Sequence, residues 1–141
     1  YNRYDSDYGV CFFDIDHFKL INDTYGHEAG DVVLAAIGKM LRKYSRQVDF
    51  VGRYGGEEFV ILLPETTLAD AIKFADKMRE IVQNSKFMYK GERIDVTASC
   101  GVAIRSENTG SSVTIEEADK MLYQAKQGGR NKVMPELYNE C

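Results

Sequence analysis

The chain has 141 residues, 44% of them hydrophobic and 28% charged, which suits one globular domain with a sizeable core. Its formal net charge of −4 excludes a global basic field, so no nucleic-acid partner is expected and an anionic ligand must be held by local cations or a metal. No apolar run approaches the length of a membrane span and no signal peptide is visible, so no membrane contact is expected of this domain itself. Cys11 and Cys100 lie in apolar, strand-like runs, where cysteine acts as a small hydrophobe. With Cys141 they make an odd count without zinc spacing, and a reducing, cytoplasmic setting is expected. The chain opens on Tyr1 rather than Met, which points to excision from something longer.

In chain order, Tyr8 to Phe13 is a continuous apolar run ending in acids, expected as a central strand buried on both faces. A polar segment runs from His17 to Gly30. Val33, Ala36, Ile37, Met40, Leu41 and Tyr44 repeat at helical spacing, predicting a helix from Asp31 to about Tyr44. Phe50–Tyr54 and Phe59–Leu63 read as hairpin arms around Gly55-Gly56, with glycine chosen for positive φ. Thr67 is the expected cap of a helix that buries Leu68, Ala71, Ile72, Ala75, Met78 and Val82. Phe87 to Ile94 reads as a small hairpin turning at Gly91. Val96 to Ile104 alternates, with Thr97, Ser99, Gly101 and Ala103 forming a small-residue face for a closely packed helix. After a polar loop from Arg105 to Ser112, Thr114-Ile115-Glu116-Glu117 reads as a capping box. The helix it opens is expected to bury Ile115, Ala118, Leu122 and Ala125 and to end at Gly128-Gly129. The order β-α-β-β-α-β-α predicts one α+β sandwich with a mostly antiparallel sheet.

Four constellations could carry chemistry. Asp14-Ile15-Asp16 ends the first strand, with both carboxylates on one side. Glu57-Glu58 follows the glycine pair, and Glu57 can meet Asp14 if the hairpin packs beside the first strand. Acids gathered at one edge repel unless a cation compensates them, and magnesium binds one or two carboxylates together with phosphate oxygens. Lys19 offers a point charge to a phosphate. Asn22 with Asp31 could read a guanine edge, since a carboxylate accepts from its paired N–H donors. Taken alone, Asp31 reads as the N-cap of a helix starting at Val32. Lys126 and Arg130 suit a helix C-terminus or a phosphate clamp. Arg46 and Asp49, by themselves, read as solvated charges.

Together these residues resemble the GGDEF-domain family of diguanylate cyclases, in its GGEEF form. Gly55-Gly56-Glu57-Glu58-Phe59 is the signature. Asp14 to Asp23, Tyr25 to Asp31, and Tyr123 to Asn131 are similar to three further family motifs in order. The resemblance covers nearly the whole chain and implies a ferredoxin-like core related to nucleotidyl cyclases and polymerase palms. It implies that Asp14, the Ile15 carbonyl and Glu57 bind magnesium, with manganese as an alternative. Glu57, helped by Glu58, and Lys19 are implied as catalytic. Phe18, Asn22, His27 and Asp31 would form the guanine pocket. Gly55 and Gly56 would admit the phosphates, which Lys19, Lys126 and Arg130 would hold. Arg46 and Asp49 match an R-x-x-D product-inhibition site, completed by Lys77 or Arg79.

The implied reaction joins two GTP molecules into cyclic di-GMP and two pyrophosphates. Each domain supplies one GTP site, so a homodimer is implied. The single domain over residues 1–141 lacks the family's N-terminal wide turn and first helix. The rival reading is a non-catalytic receptor for GTP or cyclic di-GMP.

Overall fold

A computed structural model of the chain describes residues 7–105 and 111–136, with side chains given up to Arg105 and from Thr114 onward. Most of the loop expected from Arg105 to Ser112 lies outside the described residues. The elements are β1 (Tyr8–Ile15), α1 (Phe18–Tyr25), α2 (His27–Tyr44), β2 (Phe50–Arg53), β3 (Glu58–Pro64), α3 (Leu68–Asn84), β4 (Phe87–Tyr89), β5 (Glu92–Ile94), β6 (Ala98–Arg105), α4 (Ser111–Gln127) and β7 (Val133–Met134).

The main sheet has the order β2-β3-β1-β6-β7, and β4 and β5 pair separately. β1 is central and antiparallel to both β3 and β6, while β7 runs parallel to β6. Each βαβ unit is therefore split by one antiparallel strand, the ferredoxin-like arrangement. This is the α+β fold expected from the element order.

Strand alternation divides β1 between two cores. Cys11, Phe13 and Ile15 join Val33, Ile37, Leu41, Ala75 and Met78 in the larger core. Val10 and Phe12 pack with Ala103, Ala118 and Leu122 in a smaller one beneath α4. Both sheet faces are thus covered, which explains the unbroken apolar run. Burial pushes the Cys11 thiol up to about 12, so it is inert.

α4 rides directly on β6 at Gly101. A Cβ there would lie 2.2 Å from the Ala118 carbonyl oxygen and 2.2 Å from the Leu122 nitrogen. The small-residue face thus sets the height of α4, and with it the height of Lys126 above the sheet. The helix closes as expected: Arg130 N–H donates to the Ala125 carbonyl at 3.0 Å around Gly129, at φ 115°.

Several expected boundaries move. The polar segment from His17 is helical, because Phe18 and Ile21, one turn apart, are buried anchors. α2 begins at His27 rather than Asp31, after a junction at Gly26 with φ 98°. α4 already includes Ser111, so Thr114 lies inside the helix rather than capping it; serine is at home in a first turn. Leu68 and Ile115 remain 42% exposed, because early helix turns overhang the core they lead into. Leu68 instead faces a shallow groove with Ile104, Met121 and Pro135.

Candidate active site

Main-chain pairing alone brings the two acidic motifs together. In the β1–β3 register Asp14 stands opposite Glu58, and Ile15 N–H donates to the Glu57 carbonyl at 3.3 Å. The turn between β2 and β3 spans Tyr54 to Glu57. Tyr54 and Gly55 N–H point to the Glu58 carbonyl at 2.8 and 3.5 Å, and the Arg53 guanidinium donates to the Gly56 carbonyl at 2.7 Å. Neither Gly55 nor Gly56 takes a left-handed φ, contrary to the reason first given for them. A four-residue loop does not require the mirror-image turn of a two-residue hairpin. What the glycines provide is bare surface: a Cβ on Gly56 would meet nothing within 4 Å.

The electrostatics there are unbalanced. Asp14 is 2% exposed. Its Oδ2 accepts a hydrogen bond from Lys126 Nζ, and its Oδ1 is buried without a partner. Glu57 and Glu58 are both pushed above the usual carboxylate range, first by partial burial and then by the negative charge of Asp14; Lys126 opposes the shift. Three carboxylates share one ammonium group. Leaving a buried acceptor unmade costs on the order of 1–3 kcal/mol, so the site favours a second cation.

Among the described residues, no three His, Cys, Asp or Glu side chains form a ready-made metal cage. Magnesium does not need one, since it retains waters and takes phosphate oxygens beside one or two carboxylates. Asp14 Oδ1 and Glu57 fit a hard divalent cation arriving with a nucleotide, with Ile15 adjoining them. Asp16 does not fit that role, although it faces the same side. Its Oδ1 accepts from Ser99 Oγ at 2.6 Å, and its Oδ2 accepts from Thr97 Oγ1 at 2.7 Å and Asn131 N–H at 3.0 Å. A carboxylate so fully bonded is a bracket rather than an open ligand.

The α1–α2 corner gathers four residues named from sequence. A Cβ on Gly30 would overlap Asn22 Oδ1 at 1.9 Å and crowd the Phe18 ring at 3.0 Å. Glycine is therefore what lets both side chains lie against α2. Asn22 Oδ1 is buried and unpartnered, whereas Phe18, at 9% exposure, is largely spent in the core. His27 and Asp31 stand one helical turn apart and exposed. Asp31 lies inside α2 and is not its cap, so the bland account of it fails. The Tyr89 hydroxyl donates to Glu28, bracing this end of α2. Nothing in the local sequence signals that contact across 61 residues.

The cations divide. Lys126 reaches the acids, and Arg130 follows in an exposed turn. Lys19 is 90% exposed on α1 and pairs with Asp23 at 3.1 Å, so it is not brought to Asp14.

At another corner, Arg46 and Asp49 close on each other. Arg46 N–H donates to Asp49 Oδ2 at 2.7 Å and its Nε to Oδ1 at 3.0 Å. Its guanidinium also donates to the Pro64 carbonyl at 2.9 Å and Thr66 Oγ1 at 3.0 Å. Arg42, which sequence reasoning overlooked, donates to the Asp49 carbonyl at 2.8 Å. A cavity of about 240 Å³ opens beside the pair, lined by Tyr44, Asp70 and Phe74. Of the two candidate partners, Arg79 is only 13% exposed and bonded to Asp76 at 2.8 Å, while Lys77 is exposed.

An acidic hairpin tip paired to the central strand of a ferredoxin-like sheet, under a helix that brings in a lysine, defines a nucleotidyl-cyclase-like domain. The family model for "Diguanylate cyclase, GGDEF domain" matches residues 1–132, and the chain belongs to that family. Diguanylate cyclase A of Treponema denticola is 45% identical over 125 residues, 88% of this chain and 34% of that protein. The response regulator PleD of Caulobacter vibrioides is 44% identical over 128 residues, 89% of this chain and 28% of that protein. The chain thus spans about a third or less of the curated relatives' length. Among solved structures, the GGDEF domain of DgcB from Caulobacter crescentus, in complex with c-di-GMP, superposes with a TM-score of 0.86 at 32% identity, covering 90% of this chain and 76% of that one. The active GGEEF domain of a diguanylate cyclase from Vibrio cholerae gives 0.84 at 31%, covering 96% and 85%. Among the described residues, no helix is long and apolar enough to cross a membrane.

Proposed function

We propose that this chain is the catalytic domain of a diguanylate cyclase, condensing two GTP molecules into cyclic di-GMP and two pyrophosphates as a homodimer. The reading rests on the unpartnered, buried Oδ1 of Asp14 beside Glu57 and Glu58, at the mouth of a turn left bare at Gly55 and Gly56. Asp14, Glu57 and the Ile15 carbonyl hold magnesium, or manganese in its place. When bound, such an ion lowers the pKa of the attacking hydroxyl and offsets charge on the phosphoryl oxygens.

The chain's own residues do the rest. Glu57, assisted by Glu58, accepts the proton of the 3′-hydroxyl, a role suited to a carboxylate raised above its ordinary range by partial burial and the charge of Asp14. The open acceptor of Asn22, with His27 and Asp31, reads the guanine edge over the Phe18 ring. Gly55 and Gly56 let the phosphates lie on the main chain, where Lys126 and Arg130 neutralise them; Lys19 contributes from the rim. One domain holds one GTP, so two domains face each other and much of the acceleration comes from positioning the pair. Arg46 and Asp49, with Lys77, take up product and restrain the domains.

Incubating a dimerised form of the protein with GTP and magnesium tests the reading. Chromatography is expected to show cyclic di-GMP from the native protein and none from Glu57→Gln. Tight GTP binding without product would favour the receptor reading instead.

A further inference from the structure

Asp16 and Arg79 are both heavily hydrogen-bonded charged groups, and the proposed chemistry uses neither. They meet at Asn131. Asn131 N–H donates to Asp16 Oδ2 at 3.0 Å and to Ser99 Oγ at 3.2 Å. Its side-chain Oδ1 accepts from the Arg79 guanidinium at 2.9 Å. Arg79 is itself aimed by Asp76 at 2.8 Å and Gln83 at 3.2 Å. The turn they grip is unusual. Gly129, Arg130 and Asn131 take left-handed φ values of 115°, 63° and 50° in succession. Arginine rarely adopts such a backbone, and a left-handed run persists only where its surroundings hold it. Asp16 anchors the turn to the end of β1, two residues beyond Asp14, and Arg79 anchors it to α3. Arg130 immediately precedes Asn131 in this turn, and its side chain is exposed.

We infer that Asp16 and Arg79 are positioning residues that act through Asn131 to aim Arg130 at the outer phosphates of the nucleotide. The inference rests on the GTP reading of this site. Asp16 fixes the main chain of the turn relative to the acids, and Arg79 fixes its rotation by holding the Asn131 amide. Their removal should weaken the grip on phosphate and leave recognition of the base intact.

The test is calorimetric binding of the unreactive α,β-methylene analogue of GTP, with guanosine as comparator, on the full chain. Arg79→Met and Asn131→Gly break the same bond; glycine keeps the left-handed φ and the N–H to Asp16. Each is expected to weaken the analogue roughly tenfold, the worth of one charge-assisted hydrogen bond, with guanosine affinity unchanged. The double variant should lose no more than either alone, and Arg130→Ala should add little to Arg79→Met. Asp16→Asn is expected to act in the same direction with a larger loss of melting temperature. Unchanged analogue affinity in Arg79→Met, at a lowered melting temperature, would overturn the positioning role and leave the GTP reading standing. Equal losses for analogue and guanosine would also overturn it. Failure of the native protein to bind the analogue at all would remove both.

Discussion

Two buried aspartates carry opposite lessons. Asp49 is 4% exposed and Asp14 is 2% exposed, and each faces a basic side chain. At Asp49 both oxygens accept from Arg46, and that arginine goes on to Pro64 and Thr66. At Asp14 one oxygen takes Lys126 and the other takes nothing, with two further acids close by. A completed pair fastens α2 to the end of β3. An incomplete one leaves charge and geometry for a ligand to finish.

Glu57→Gln is expected to lower cyclic di-GMP synthesis about a thousandfold without lowering stability to denaturant. Asp49→Ala is expected to do the reverse, costing about 2–4 kcal/mol in urea unfolding, because Arg46 loses its partner and its N–H is left unmade. If Asp49→Ala unfolded like the native chain, the fastening role would be gone.

Gly101→Ala should come next. The methyl group would collide with the α4 main chain, and overpacking against backbone should cost about 3 kcal/mol, read by thermal unfolding. Lys126 would be lifted from Asp14, while the Arg46 corner, packed elsewhere, should keep its hydrogen-exchange protection.

Arg46→Ala probes the saturated corner. The inhibition constant for cyclic di-GMP should rise at least tenfold, about 1.4 kcal/mol or more, with initial turnover unchanged. An unaltered inhibition constant would leave Arg46 with its fastening role alone.

The smallest effect is one of pH. Glu57 and Glu58 titrate above their unfolded values, so the fold binds their protons more tightly than the unfolded chain does. Their relative contribution is fully present below the unfolded value, near pH 4.5, and is lost as pH rises through the raised folded values. Measured with a chelator present, Glu58→Gln should melt a few degrees above the native protein at neutral pH. The gap should close by about pH 4.

Much of this was legible in the chain itself. Apolar run, helical stripe and alternation gave the elements, because side-chain periodicity follows directly from backbone geometry. The small face of β6 announced the close approach of α4, since only a missing Cβ admits a helix main chain there. The polar composition of residues 17–30 hid α1, whose two anchors are too few for a periodic signal. Local patterning made Asp31 a cap and placed Asp16 at a strand end, on the same side as Asp14. The first reading changed once α2 began four residues earlier, and the second was completed once Asn131 was seen against Asp16.

Residue types and their order determined which acids, amides and cations were available and which strand each would follow. Partnership was decided only in three dimensions. Whether a buried carboxylate is saturated, like Asp16 and Asp49, or left open, like Asp14, depends on donors up to 115 residues away. Hydrogen bonding acts over about 3 Å of space, and sequence separation carries no information about that distance until the chain has folded.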